Sequence, residues 1–188
     1  NLYIYYTAAY SFKFWQIARS FQDFDLSSLP ADVTITAATI NLYEAGNSTS
    51  DLIIIKGTFD SSLAVEDFDS FTGAGSGWTS SDVTTYSSAL DLDDGWNSIT
   101  LNSTAITDIQ TAFQAGERFK IVLMDKDYDY DDTNIGQGSY VELDFNTIDN
   151  ADSDKHPYLE LTYAEPAPSG KLTLNSGKLT LTGGKIKL

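Results

Sequence analysis

The sequence predicts an all-β fold, an antiparallel β-sandwich with one short helix and a strand-forming C-terminal tail. Three observations carry this. Most apolar residues fall in short runs of period two, separated by clusters of Gly, Pro, Asn, Asp and Ser. A single stretch, Ala105 to Gln114, has helical spacing. The third is a strand–corner–strand unit from Phe24 to Ala45. Pro30 has no N–H to give to a central ladder, so it falls between two strands. In the run after it, Ile35, Ala37, Thr39, Asn41 and Tyr43 share one face. Thr36, Ala38, Ile40, Leu42 and Glu44 share the other, expected to be the core face.

The remaining elements follow in order. Asn1 to Tyr10 and Phe12 to Phe24 read as strands, the second reaching the corner through Arg19 and Phe21. Asp51 to Lys56 (DLIIIK) is a short apolar run after a polar turn, hence a buried strand. Residues 57–95 are rich in loop, with a clear break at Gly73 to Trp78. Trp96 to Asn102 alternates as a strand. Ser103 or Thr104 is expected to cap the helix, and Gly116 to end it. Arg118 to Met124, Ser139 to Phe145 and Tyr158 to Tyr163 complete the sandwich.

Two segments resemble a known family. Phe24-Asp25-Leu26-Ser27-Ser28-Leu29-Pro30, running into Ile35 to Ala45 (ITAATINLYEA), is similar to the strand–corner–strand pattern of the DNRLRE domain, or disaggregatase-related repeat. His156-Pro157-Tyr158-Leu159-Glu160-Leu161-Thr162-Tyr163 is similar to that family's closing strand. The resemblance covers about residues 15 to 164. It implies a jelly-roll-like sandwich of the carbohydrate-binding-module kind, non-catalytic, secreted or carried on surfaces and virions. Gln22-Asp23 and His156 depart from the pattern, and the family's N-terminal strand is expected to be short or missing.

Composition narrows the function. Of 188 residues, 41% are hydrophobic and 13% aromatic, enough for one sandwich with a real core. Cysteine is absent, which excludes disulfides and Cys-based zinc sites. No apolar run has the length of a membrane span. The chain has neither an initiating Met nor a signal peptide and reads as processed or trimmed. A net charge of −16 argues against a nucleic-acid partner. The charge is uneven: four of the 11 basic residues and none of the 27 acidic ones lie beyond Glu165. Opposite charges on body and tail favour association between copies.

The expected organisation is a sandwich over 1–164, a Pro/Gly linker over 165–170 and a basic, repetitive tail over 171–188. Three tail units alternate Lys or Thr with apolar residues: Lys171, Leu172, Thr173 and Leu174; Lys178, Leu179, Thr180 and Leu181; and Lys185, Ile186, Lys187 and Leu188. Such short strands need a partner to bury their apolar face. They are the candidate assembly residues, for copies of this chain or another surface or virion protein.

Asp125, Asp127, Asp129 and Asp131, followed by Asp132, would line one side of an extended segment and suit a structural calcium ion. The EF-hand pattern fails there, because Tyr130 stands where Gly is required. Trp78, Trp96, Tyr128 and Tyr130 are candidates for contact with polysaccharide, since flat rings suit the C–H faces of sugars. Trp78, in the Gly-rich loop, is expected to be the exposed one, and Trp96 structural. A lone His156 with no nucleophile motif argues against catalysis. The expected role is therefore a non-catalytic extracellular, cell-surface or virion assembly subunit held by its C-terminal strands, with a carbohydrate-binding module of a secreted polysaccharide-degrading enzyme as the alternative.

Overall fold

The computed structural model describes residues 2–8, 15–46, 48–60, 62–75, 78–133, 140–166, 171–175 and 178–182; for 2–8, 15, 16, 140 and the residues beyond 170 it describes the backbone only. Among the described residues the regular structure is mostly antiparallel β-sheet, with one α-helix. The larger sheet contains β1 (Leu2–Ala8), β2 (Trp15–Ile17), β4 (Thr34–Glu44), β7 (Gly95–Thr100), β9 (Tyr140–Phe145) and β10 (Tyr158–Ala164). Its spine is β4, with β7 on one side and, on the other, β10 along its first part and β9 at Glu44. The second sheet runs β3 (Ser20–Phe24), β8 (Phe119–Asp125), β5 (Asp51–Lys56), β6 (Leu90–Asp91).

The two sheets bury their facing sides together. Ile40, Leu42, Ile99, Leu143 and Phe145 of the first meet Leu52, Ile54, Ile121 and Leu123 of the second, with Ala105 and Ile109 of α1 (Ser103–Ala115) closing one end. Each fully buried aliphatic side chain contributes about 1.5–3 kcal/mol. The second sheet is covered on its other side too. Ile53, Ile55, Val122 and Met124 pack under Phe59, Phe71 and Val83 from the long segment between β5 and β6. That is why both strands are continuously apolar: neither face meets water.

Four expectations need correction. The residues between 12 and 24 do not form one strand. The chain leaves β2 at Ile17 and enters the other sheet at Ser20, with Arg19 at the crossing; residues 11–14 lie outside the described residues. Ile35 is buried rather than outward. The pairing of β4 with β10 shifts register there, Thr162 opposing Ala37 and Tyr163 opposing Ile35, so Thr36 is an extra residue and parity reverses below it. The helix cap is Asn102, not Ser103 or Thr104. Its Oδ1 accepts from the Ala105 N–H at 3.1 Å while its Nδ2 donates to the Thr85 carbonyl at 2.8 Å. A hydroxyl one residue later cannot make that pair of contacts. Gly116 ends the helix at φ 69° as expected, where any side chain would be strained. Lastly, Asp125 to Asp131 is not extended: Lys126–Tyr130 forms a π-helical turn with Asp125 at its start.

Beyond the sandwich, β11 (Lys171–Asn175) and β12 (Lys178–Thr182) pair with each other as an antiparallel hairpin, Leu172 opposite Leu181 and Leu174 opposite Leu179. The third tail unit, Lys185, Ile186, Lys187 and Leu188, lies outside the described residues.

Candidate functional site

The outward face of the larger sheet is ordered by cross-strand register. Trp96 on β7 lies opposite Tyr43 on β4. In the next row Ser98, Asn41 and Tyr158 align across β7, β4 and β10, and in the third Thr100, Thr39 and Glu160. Trp96 is 44% exposed and Tyr158 46%. The Trp96 ring meets Tyr43 edge to face at 5.5 Å and Tyr158 at 5.3 Å, so three aromatic rings form one surface row. Mutual packing of this kind fixes the rings without covering them. Beneath them Asn41 is buried. Its Oδ1 accepts from the Ser98 hydroxyl at 2.6 Å, and its Nδ2 has no partner among the described residues.

At the Tyr43 end the row opens onto a cavity of about 580 Å³ lined by Tyr43, Glu44, Gly46, Asp94, Asn146 and Lys155, among others. Glu44 is 3% exposed. One of its oxygens accepts from the Ser48 N–H at 2.7 Å; the other, Oε2, is buried without a partner among the described residues. Asp144 lies against the cavity's Gly46, where a Cβ would run into its Oδ2. Burial, then repulsion from Glu142 and Glu44, holds the Asp144 carboxyl above the usual carboxylate range. Lys155 stands at the rim with its Nζ 3.2 Å from Asp152 and 4.8 Å from the Tyr43 ring centre.

The predicted site residues fall elsewhere or play other parts. Trp78 is half-buried and packs edge-on to Phe71 at 5.3 Å, over the second sheet, so its Gly-rich surroundings do not leave it bare. Trp96, expected to be structural, is the exposed one. Tyr130 is half-buried over the second sheet and donates to the Ser80 carbonyl at 3.0 Å; Tyr128 packs with Val141. The π-helical turn sends the acids in different directions. Asp125 is buried and accepts from the Tyr128 N–H at 2.7 Å. Burial raises its pKa, against opposing help from the neighbouring Ser50 hydroxyl, although neither Asp125 Oδ2 nor Ser50 Oγ reaches full hydrogen-bond geometry. Asp129 is buried in a two-pronged ion pair with Arg19, both contacts at 2.7 Å. Asp131 pairs with Lys126, while Asp127 and Asp132 are exposed. Among the described residues no three Asp, Glu or His side chains are grouped to hold a metal ion.

Sequence reasoning did not single out Glu44 as a buried carboxylate, although a signal was present. It carries a charge at the last position of the predicted core face, after Ala38, Ile40 and Leu42. Tyr43 and Tyr158 stood in quoted motifs but gave no sign of lying together. No family model, curated protein or solved structure matches this chain. Its described residues contain no helix long and apolar enough to cross a membrane.

Proposed function

We propose that this chain is a non-catalytic, glycan-binding β-sandwich of an extracellular or virion surface, using the Trp96–Tyr43–Tyr158 row as its platform. The exposed aromatic row carries the reading. Large rings on a rigid sheet are seldom left bare without use, and hydroxyl, amide and carboxylate groups of Ser98, Thr39, Thr100, Asn41 and Glu160 stand beside them. That combination suits sugars, whose C–H faces lie on rings and whose hydroxyls need polar partners. The resemblance to DNRLRE domains supports the same class. The lone His156 has its Nε2 2.8 Å from the Asn150 carbonyl, which supports a structural role for it.

The test is binding of Trp96→Ala and Trp78→Ala to a polysaccharide panel by affinity electrophoresis. Trp96→Ala should weaken binding by about tenfold, at a stability cost of about 1–2 kcal/mol from its two ring contacts. Trp78→Ala should keep binding and lose about 2 kcal/mol of stability. The reverse pattern would reject the platform.

A second role, assembly through the tail, is supported by the β11–β12 hairpin. Its two strands have no third partner among the described residues, and a two-stranded ribbon is marginal in water. Another copy or a further surface protein would complete it, a basic segment meeting an acidic body. Light scattering of the full chain and of a chain ending at Glu165, at low and high salt, tests this. Oligomers formed only by the full chain support the role, and equal masses sink it.

A further inference from the structure

The second sheet ends at β3, whose neighbour among the described strands is β8 alone. Hydrogen bonding on the far flank of β8 fixes which β3 groups are left over. The Gly57 N–H donates to the Lys120 carbonyl at 3.2 Å. Ile54 and Lys56 turn the other way: the Ile54 carbonyl accepts from the Tyr86 N–H at 2.7 Å, and the Lys56 N–H donates to the Thr84 carbonyl at 2.9 Å. Antiparallel ladders alternate, so β8 gives Lys120, Val122 and Met124 to β5 and its other residues to β3. On β3 the backbone groups of Ser20, Gln22 and Phe24 therefore meet β8. Those of Phe21 and Asp23 point to the open side, where the Asp23 carbonyl has one long contact, from Arg118 Nη2 at 3.4 Å.

That side is a groove. A cavity of about 630 Å³ is lined by every residue of β3, by Leu63 from the segment between β5 and β6, and by Ile148 from the connection between β9 and β10. Leu63 is 55% exposed and Ile148 75%, so apolar groups from both layers stand bare beside an unpaired strand. Open strand edges are templates for another strand, and apolar pockets beside one receive its alternate side chains. The charge here is acidic. Asp149 lines the groove with no ion pair among the described residues, while Arg19 is held by Asp129 and Asp69, and Arg118 by Asp23 and Asp25.

We infer that this groove receives the C-terminal hairpin of a second copy of the chain, one hairpin strand adding to the open side of β3. This rests on the assembly reading above and gives it a docking site. β11 and β12 have five residues each, the length of β3. Both alternate Leu with polar residues, the pattern of a strand with one apolar face to cover. The hairpin forms a sheet of its own and does not pair with its own β3, which leaves both edges for a neighbour. Charge matches as well, since the chain beyond Glu165 carries lysines and no acid.

The experiment uses the full chain, with light scattering over a concentration series and amide hydrogen exchange read residue by residue. Oligomers should form as concentration rises, and the Phe21 and Asp23 amides should then exchange at least about tenfold more slowly than in the dilute monomer. Leu63→Lys combined with Ile148→Lys, both at exposed positions, should weaken association about tenfold and return those two amides to fast exchange. Thr107→Lys combined with Thr111→Lys adds the same charge at exposed positions of α1 and should change association by less than about twofold. If the groove variant assembles like the unmodified chain, or oligomers form with both amides still fast, the docking site is overturned while assembly through the tail stands. If the chain stays monomeric with both amides slow, its own hairpin fills the groove and the contact between copies is overturned. If it stays monomeric with both amides fast, the assembly reading and the docking site fall together.

Discussion

Two places in this sandwich bury carboxylates, and they are built on opposite principles. Asp129 is closed. Both of its oxygens are held by the Arg19 guanidinium, which also reaches the Phe68 carbonyl at 2.9 Å and Asp69 at 2.8 Å and lies over the Phe68 ring at 4.3 Å. Glu44 is half-satisfied, with one oxygen capped by a backbone N–H and the other buried without a partner among the described residues. A closed pair serves the fold, tying the β2–β3 crossing to the π-helical turn and to the cover of the second sheet. A buried carboxylate with one unpaired oxygen is a cost to the fold.

Breaking the closed site should have the largest effect. Arg19→Met leaves Asp129 buried and uncompensated, and should cost about 3–5 kcal/mol in urea unfolding. Adding Asp129→Leu to that variant should restore most of the loss, because the stranded charge goes with its partner. If the double variant is no more stable than the single one, the pair is not a closed unit. At the half-satisfied site the sign reverses. Glu44→Gln should raise stability by about 1 kcal/mol in the same assay. A loss of stability there would show that the bond from the Ser48 N–H outweighs the unpaired oxygen.

Titration sharpens the contrast further. The Asp144 carboxyl is raised above its ordinary 3.8, so the folded state holds that proton more tightly than the unfolded chain. Its contribution is full below pH 3.8 and is lost as the pH rises through the folded value. Asp144→Asn should remove that fall from a plot of melting temperature against pH, and an unchanged plot would reject the raised value. The smallest effect belongs to the solvent-facing pair Lys126–Asp131, where Asp131→Asn should change stability by less than about 0.5 kcal/mol.

The alternation of β4 was legible because burial of one face imposes it, as Ala38, Ile40 and Leu42 show. The bulge at Thr36 was not, since an extra residue leaves no compositional mark in an alternating run. Double burial of the second sheet was half-legible: DLIIIK announces a strand without a wet face, but not what covers it. Arg19 and Asp129 stand 110 residues apart, and nothing local links them. The aromatic row was obscured for the same reason. Proximity to glycines suggested that Trp78 was bare, whereas exposure depends on which distant rings arrive, and Phe71 arrives at Trp78. Trp96 sits at a strand start, where the outward parity of Tyr43 was the available clue.

The sheet with two dry faces has a consequence during synthesis. β5 emerges from the ribosome well before β8, its central neighbour, and before most of the segment that roofs it. Until Phe119 to Asp125 is made, the Ile53-Ile54-Ile55 run is a naked, uncharged, β-prone ribbon with both sides sticky. The acids that crowd the intervening chain, from Asp60 through Asp67 and Asp69 to Asp94, then act as a temporary guard, keeping neighbouring nascent chains apart by like charge until the partner strand arrives.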